Sequence, residues 1–173
     1  EYEITESLKD LNHIIYVNNY NPTEGSYEME LADSDLYDFI TKEGPISDTQ
    51  KLRIIHHVLE TMSCVHGRNI IHRDLTPQNI LYVDEMVKIS DFGVGKELNQ
   101  GYSHNTFMTK DIGQLHYSAP EQLKSLKDAG KEADVFSLGR LINFILTSEP
   151  SNFGHDFKMV CRKATAKNPA NRY

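Results

Sequence analysis

Side chains that can take up a proton or bind a divalent cation are concentrated in residues 71–93, which read IHRDLTPQNILYVDEMVKISDFG. Asp74 and Asp91 supply carboxylates and Asn79 supplies an amide oxygen, and Mg2+ prefers both kinds of oxygen as ligands. A positioned carboxylate can also accept a proton from a reacting hydroxyl. The segment therefore contains a candidate general base and two candidate metal ligands.

The composition restricts the class of protein. The 173 residues suit one domain, and 39% apolar with 25% charged residues is ordinary for a soluble globular protein. A formal net charge of -7 argues against a nucleic-acid partner, which needs clustered Lys and Arg. No apolar run approaches the ~20 residues of a membrane segment, and the first residues lack the regions of a signal peptide. We therefore expect a cytoplasmic location.

The cysteines and histidines give no clear metal pattern. Cys64 and Cys161 each fall on the apolar stripe of a predicted helix, which favours core positions over a redox or metal role. The eight histidines show no zinc-type spacing, and His56 and His57 face different directions on one helix.

Two helices are best placed to position residues 71–93. Ser47 followed by Gln50 is a capping-box pattern that begins the first helix, and Gly67 predicts a left-handed residue at its end. Its predicted buried face consists of Leu52, Ile55, Leu59, Met62 and Val65. The second helix, within residues 135–146, is apolar nearly all round, which predicts a place at the centre of the domain.

Shorter elements surround these helices. Helical spacing from residue 4 gives way to a strand at 14–17, and the turn NNYNPTEG leads to a second strand at 26–31. The other predicted elements are a short capped helix ending at 44–45, a β-hairpin of 80–83 and 86–89, a polar loop from 94 to 118, and a last amphipathic helix before 168–169.

Six motifs together resemble the signature set of eukaryotic-type serine/threonine protein kinases. They are, in chain order, His72-Arg73-Asp74, Asn79, Asp91-Phe92-Gly93, Ala119-Pro120-Glu121, the DVFSLG of Asp134 to Gly139, and Arg172. The resemblance implies an α+β, protein kinase-like fold with a mainly helical C-lobe, a small β-hairpin and an N-lobe largely missing. It implies that residues 1–31 are the end of the αC helix and the last N-lobe strands, and that residues 32–173 are a C-lobe that is incomplete at its C-terminal end.

The resemblance also implies a reaction. Asp74 would orient a substrate hydroxyl and accept its proton, while Asn79 and Asp91 would hold Mg2+ against ATP. The implied cofactors are ATP and Mg2+, and the implied partner is a protein substrate with Ser or Thr acceptors. The alternative is that Asp74 caps a turn and Asp91 is only a turn residue.

Five further residues have structural counterparts in the family. His72 and Phe92 resemble the lower part of a stack of side chains that joins the two lobes, and Asp134 resembles the residue that anchors the catalytic-loop backbone. Glu121 and Arg172 resemble a buried ion pair at the end of the activation segment.

The second strand resembles the hinge between the lobes. Met29 takes the gatekeeper position, and the backbone of Glu30 and Ala32 would hydrogen-bond adenine. Asp35 would meet the ribose, with a helix cap as its alternative role, and Leu81 would form the floor under the base.

Two features depart from the family pattern. The sequence contains no glycine-rich phosphate loop and no strand lysine, so we expect part of a longer kinase, inactive alone, whose ATP site an upstream N-lobe or a partner completes. The acid that would pair with that lysine is Glu1, Glu3 or Glu6. Thr76 stands where a lysine usually reaches the transferred phosphate, and Gln114 stands where a threonine usually bonds to that lysine, which suggests a re-formed contact such as Gln114 with Asp74.

These departures leave several functions open. The first is an ATP-dependent serine/threonine protein kinase, and the alternative is a pseudokinase or nucleotide-binding scaffold with weak or no transfer. A small-molecule phosphotransferase would not be expected to carry both DFG and APE motifs.

Regulation and substrate selection give two more expectations. Arg73 precedes the catalytic aspartate and would pair with a phosphate on Thr106 or Thr109, with Ser103 behind them, unless these are plain loop hydroxyls. Few residues follow Pro150 before the last helix, which leaves no room for the family's extra docking helix.

Overall fold

A computed structural model describes residues 1–93, 112–126 and 129–173, and for Ile112 and Gln114 it describes the backbone alone. The helices are α1 (Tyr2–Ser7), α2 (Leu36–Lys42), α3 (Asp48–Gly67), α4 (Ile112–Leu115), α5 (Lys131–Thr147) and α6 (Lys158–Ala164), with 3-10 turns at Pro77–Asn79 and Pro169–Asn171. The strands are β1 (Val17–Asn21), β2 (Ser26–Met29), β3 (Ser34–Asp35), β4 (Ile80–Val83) and β5 (Met86–Ile89). The predicted α+β class is confirmed.

The strands form two small antiparallel sheets. β1 pairs with β2, and β3, β4 and β5 form a three-stranded sheet in that order. In the second sheet Asp35 lies opposite Leu81. The predicted hairpin is confirmed, because Ile80 pairs with Ile89 while Asp84 and Glu85 have φ of 47° and 62°. These left-handed angles at both central positions suit a two-residue hairpin turn.

The first strand was predicted too early in the chain. β1 runs from Val17 to Asn21, while Ile14 makes only an isolated parallel bridge to Ile89. Asn19 has φ of 49°, and the pairing with β2 is irregular between Asn18 and Asn21. The first half of the predicted turn, residues 18–21, is therefore strand with a bulge, while residues 22–25 form the turn as predicted.

The long helix α3 has the predicted start, and its buried face matches the prediction at Met62 and Val65 but not in its first half. Ser47 Oγ accepts from the backbone N–H of Gln50, and the reciprocal bond completes the capping box. Leu52 and Leu59 are 45% and 40% exposed. The buried residues are Ile54, Val58, Thr61, Met62 and Val65. Apolar residues come in neighbouring pairs along this helix, and packing against α5 and β5 turns the earlier member of the first two pairs inward.

The end of α3 also differs from the prediction. Gly67 is still helical, and Asn69 is the left-handed residue with φ of 60°. The N–H of Ile70 donates to the carbonyl of Val65 at 3.2 Å, and the N–H of Asn69 donates to that of His66 at 3.0 Å. This pair of bonds is a Schellman motif, which asparagine tolerates well enough to replace glycine.

The cysteines divide between core and surface. Cys161 is fully buried, as predicted, and burial raises the pKa of its thiol to about 11. Cys64 is exposed, so the prediction that it fills the core is wrong. It lies on the solvent side of α3, between the buried Met62 and Val65 in sequence but on the opposite face of the helix.

Helix α5 is the centre of the core, as predicted. Leu141, Phe144 and Ile145 are at most 2% exposed and pack in one cluster with α3 and the hairpin. The helix ends where Ser148 adopts φ of 63°, just before Glu149. None of the helices in the described ranges is both long and apolar enough to cross a membrane.

Candidate active site

A buried carboxylate on the first turn of α5 holds the loop that contains Asp74. Asp134 is fully buried; Oδ2 accepts from the N–H of His72 at 2.9 Å, and Oδ1 accepts from the N–H of Arg73 at 2.7 Å. His66, at the end of α3, adds a third bond from Nε2 to Oδ2 at 2.8 Å. Arg73 has a left-handed φ of 67°, so these bonds hold a backbone conformation that its residue type disfavours.

The ring of His72 connects this loop to residues 90–92. It is fully buried, 4.6 Å from the ring of Phe92 between centroids. Nδ1 accepts from the N–H of Asp74 at 3.2 Å, so Nε2 carries the proton and donates to the carbonyl of Ser90 at 2.8 Å. One neutral tautomer satisfies both contacts.

Asn79 holds the candidate base. Its Nδ2 donates to the backbone carbonyl of Asp74 at 2.7 Å and to Oδ2 of Asp74 at 3.2 Å. The same amide therefore directs its nitrogen at Asp74, and its oxygen is the end that a cation would contact. Ser90 donates its N–H and its hydroxyl to the Asn79 carbonyl at 2.9 and 3.1 Å, which ties this turn to the start of the Asp91 segment.

Asp91 and Glu1 approach one another beside Gly93. Asp91 has φ of 60°, and its Oδ1 accepts from the N–H of Gly93 at 3.3 Å. A Cβ placed on Gly93 would lie 3.2 Å from that oxygen and 3.1 Å from Oε2 of Glu1, so glycine leaves room for both carboxylates. Glu1 also accepts from the Tyr27 hydroxyl at 2.5 Å. Burial and both carboxylates raise the pKa of Tyr27.

The structure distinguishes Glu1 from Glu6 as the acid that would pair with the strand lysine. Glu1 lies beside the Asp91 segment, whereas Glu6 pairs with Lys9 on the surface of α1 at 2.5 Å.

The donor set fits magnesium better than a softer metal. Asp91 offers a carboxylate and Asn79 an amide oxygen, and Mg2+ commonly takes one or two protein ligands together with phosphate oxygens and water. Within the described ranges no group of three or more His, Cys, Asp or Glu is arranged to hold a metal by itself.

The departures from the family pattern lie close to Asp74. Thr76 is 1% exposed, and its hydroxyl has no hydrogen-bond partner among the described residues. Gln114 belongs to α4, but its side chain lies outside the description, as do Ser103, Thr106 and Thr109. The proposed contact of Gln114 with Asp74 therefore stays a prediction.

The side chain of Arg73 points to the start of α5. Its Nε donates to the carbonyl of Ala129 at 3.2 Å. Burial lowers the pKa of Arg73, and Asp134 partly offsets this.

The pair of Glu121 and Arg172 is bidentate. Nη1 and Nη2 of Arg172 meet the two oxygens of Glu121 at 2.5 and 2.9 Å, and Nη1 also donates to the Glu132 carbonyl at 2.8 Å. The arginine side chain is fully buried while that of Glu121 is 23% exposed. Burial opposes ionisation of Glu121, but the bonds from Arg172 outweigh it and hold the pKa of Glu121 below its usual value.

The residues predicted to contact the nucleotide base lie near the two sheets. Met29 is 49% exposed at the end of β2, and Leu81 is half-buried in a cluster that includes Ala32. Glu30 turns its carboxylate toward Lys88 on β5, with contacts of 2.6 and 2.8 Å. The N–H of Glu30 donates to the carbonyl of Tyr16 at 3.1 Å, so an adenine contact at Glu30 would fall to its backbone carbonyl.

Asp35 is the N-cap of α2, because its Oδ1 accepts from the N–H of Asp38 at 2.8 Å. The helix-cap role that the sequence allowed is present. The cap uses one carboxylate oxygen, so a ribose contact would fall to the other.

Several residues of this region were not predicted. His66 and Gln122 are the main ones: Gln122 Nε2 donates to the carbonyl of Arg73 at 2.8 Å, and its Oε1 accepts from the N–H of Ala119 at 2.9 Å. Neither has a sequence signal beyond its proximity to a motif. A cavity of about 270 Å³ between α2, α3 and the hairpin contains none of the predicted site residues.

Comparison with known proteins identifies the family. The protein kinase domain family matches residues 1–170. The chain is 30% identical to the mitogen-activated protein kinase homolog MMK2 of Medicago sativa, over 95% of this chain and 43% of the relative. It is 34% identical to the mitogen-activated protein kinase spm1 of Schizosaccharomyces pombe, over 82% of this chain and 34% of the relative. It is 32% identical to the probable serine/threonine-protein kinase PknB of Lactococcus lactis, over 70% of this chain and 19% of the relative.

The family match and the curated relatives agree with one another. The chain spans less than half the length of these curated relatives. Its relatives include mitogen-activated and other serine/threonine kinases, and the family match extends over nearly all of its residues. The chain belongs to the protein kinase domain family, on its eukaryotic-type serine/threonine side.

Proposed function

We propose that this chain supplies the proton-accepting and metal-binding side of an ATP- and Mg2+-dependent protein serine/threonine kinase. The observation that carries the proposal is the pairing of Asp74 with Asn79, on a loop that Asp134 fixes through the N–H groups of His72 and Arg73. In this proposal residues 1–31 belong to the upper lobe and residues 32–173 to the lower one.

The chain's own residues would act by position and charge. The acceptor hydroxyl oxygen bonds to the γ-phosphorus as the bond to the ADP oxygen breaks, and Asp74 takes the hydroxyl proton. The Asn79 amide keeps the Asp74 carboxylate in place. Asp91 and the Asn79 oxygen would hold Mg2+, which supplies positive charge against the phosphates.

The remaining site residues receive proposed roles from the same geometry. Glu1 would hold the phosphate-binding lysine of an upper lobe, because its carboxylate lies beside Gly93. The backbone of Glu30 and Ala32, with Leu81 below, would bind adenine.

A second function is favoured by Thr76. Its buried hydroxyl brings no positive charge to the place where the family usually has a lysine. A missing cation near developing negative charge removes about 3 to 4 kcal/mol of transition-state stabilisation, by analogy with a lost oxyanion donor. The alternative is a nucleotide-binding pseudokinase or scaffold.

Labelled phosphate transfer to a general protein substrate tests the proposal. The full-length protein is assayed with Mg2+, beside the Asp74→Asn and Asp91→Asn variants and the control Asp10→Asn, whose carboxylate is exposed and pairs with Arg68. We expect transfer by the wild type and the control, and a loss of at least about 100-fold in the site variants. ATP binding without transfer in the wild type would instead support the pseudokinase.

A further inference from the structure

A second polar cluster lies where the loop after α5 folds back onto that helix. Arg140 Nη1 donates to the carbonyl of Pro150 at 3.3 Å and to Oγ of Ser151 at 3.0 Å. Asn143, one turn along α5, donates to the same Pro150 carbonyl at 3.0 Å. These bonds fix the position of Ser151 relative to the helix.

The charge of Arg140 has no anionic partner in the described part of the chain. Among the described residues no carboxylate forms an ion pair with its guanidinium, although the same loop carries Glu149 and Asp156. Its Nε is buried without a hydrogen-bond partner, and burial lowers its pKa. A partly desolvated cation is stabilised strongly by a nearby anion, because water no longer solvates its charge fully.

The neighbouring Arg172 differs from Arg140 in having a carboxylate partner. Arg140 and Arg172 both contact the ring of Phe136, with their guanidinium carbons 5.2 and 5.1 Å from its centroid. Arg172 is bonded to the carboxylate of Glu121, whereas the hydrogen-bond partners of Arg140 within the described ranges are the neutral Pro150 carbonyl and Ser151 hydroxyl. Of these two guanidinium groups, Arg140 is therefore the one that can bind a carboxylate from another molecule.

Ser151 gives the cluster a second donor. Its residue is exposed, and its oxygen accepts from Arg140, so its own proton is available to donate outward. A carboxylate at this point would receive one bond from the guanidinium and one from the hydroxyl.

The cluster is connected to the proposed catalytic loop. Ser137, one turn before Arg140, donates to the carbonyl of Tyr117 at 2.8 Å. Gln122, a few residues after Tyr117, donates to the carbonyl of Arg73, next to Asp74. The segment 117–122 thus links the cluster to the loop that would receive the acceptor hydroxyl.

We propose that Arg140 and Ser151 form a recognition site for an acidic side chain of the protein substrate, which rests on the proposed kinase function. The formal charge of -7 disfavours acidic partners in general. A preference for acid at one substrate position would therefore reflect this local cation. In this proposal the loop of residues 148–157, between α5 and α6, contacts the substrate in place of the docking helix for which the sequence leaves no room.

Matched peptides test the site with the full-length protein. Neutral serine peptides carry one Glu, or Gln in its place, at successive positions around the acceptor, and kcat/KM is measured for each pair. A charge-assisted bond predicts a Glu/Gln ratio of about 10 at one position, expressed mainly in KM. In Arg140→Gln the ratio should fall to about 1, and in Arg140→Lys it should be intermediate. In Ser151→Ala it should fall about threefold, because the hydroxyl bonds more strongly to the carboxylate of Glu than to the amide oxygen of Gln.

Arg162→Gln is the matched control. Its guanidinium also lies over an aromatic ring, at 5.7 Å from the centroid of Phe153, but it is exposed and outside the cluster, so the ratio should not change. Melting temperatures of all variants show whether each is folded. Arg140→Lys keeps the test valid if Arg140→Gln unfolds.

Two outcomes would overturn the site. One is a wild-type ratio of 1 at every position, and the other is a ratio that Arg140→Gln and Arg140→Lys leave unchanged. If the wild type transfers no phosphate, the proposed function fails on its own, and fluorescence anisotropy of the same peptide pairs decides the inference. The dissociation constants should then show the same dependence on Arg140.

Discussion

Replacing Asp134 by asparagine should both destabilise the protein and slow phosphate transfer. The side chain is fully buried, and its two oxygens accept from the N–H groups of His72 and Arg73 and from Nε2 of His66. Asparagine has nearly the same shape but turns one acceptor oxygen into a donor. In the least costly orientation the new NH2 faces the single N–H of Arg73, and the other oxygen keeps its two bonds.

The magnitude follows from these three bonds. One buried N–H loses its acceptor, at about 1 to 3 kcal/mol, and two bonds lose their charge assistance, at about 1 kcal/mol each. The sum is about 3 to 5 kcal/mol of unfolding free energy. For a protein of this size that corresponds to a fall in melting temperature of about 6 to 20 °C.

Calorimetry of the full-length wild type and Asp134→Asn at neutral pH measures the change. Asp10→Asn is the control, since it removes a carboxylate that is 62% exposed and should not move the transition. Phosphate transfer well below the melting temperature should also fall, because the left-handed backbone of Arg73 depends on the Asp134 bonds. A melting temperature within about 2 °C of wild type would refute the hydrogen-bond argument.

Three further variants test other parts of the fold. Glu121→Gln should cost about 2 kcal/mol near pH 7, less than for a fully buried pair because Glu121 is 23% exposed. The folded state lowers the pKa of Glu121, so the ionised carboxylate contributes its full stabilisation above the ordinary value of 4.5. This stabilisation is lost as the pH falls through the folded pKa. In urea unfolding, the unfolding free energies of the wild type and Glu121→Gln should therefore converge in acid. Glu85→Gly should raise the unfolding free energy by about 0.5 to 1 kcal/mol, because Glu85 has φ of 62°, and a lower value would contradict a type I′ turn. Thr76→Val should raise stability by about 1 kcal/mol in thermal melts, since it removes a buried hydroxyl without a partner, whereas lost stability would mean that the hydroxyl is bonded.

The sequence predicted those elements whose signals are local. The capping box at Ser47 and the hairpin of β4 and β5 depend on residues a few positions apart, and both are present. The predicted buried face of α3 is wrong in its first half because Ile54 and Ile55 are equally apolar, and only the packing of α3 against α5 and β5 selects between them. The sequence pattern predicts Gly67 at the helix end because glycine is the commonest left-handed residue there, whereas the structure has Asn69 in that role.

Contacts between residues far apart in the sequence could not be predicted from local sequence patterns. Lys88 meets Glu30 and His66 meets Asp134 across 58 and 68 positions of sequence. The role of Arg140 could not be predicted either, because the apolar pattern of α5 indicates a buried helix and carries no signal for a functional arginine. Its contacts with Pro150 and Ser151 depend on how the following loop folds back.

The backbone itself marks the same region as the motifs. In the described part of the chain, non-glycine residues with left-handed φ include Arg73, Asp84, Glu85 and Asp91, so four such residues fall within one short segment. Each costs on the order of 1 kcal/mol or more and persists only where the surroundings compensate it. At Arg73 the compensation is the Asp134 carboxylate, and at Asp91 it includes the bond from Gly93. Both strained residues adjoin or carry a proposed catalytic carboxylate, so the rate should depend on the buried Asp134, whose oxygens bond to His66 and to the loop beside Asp74.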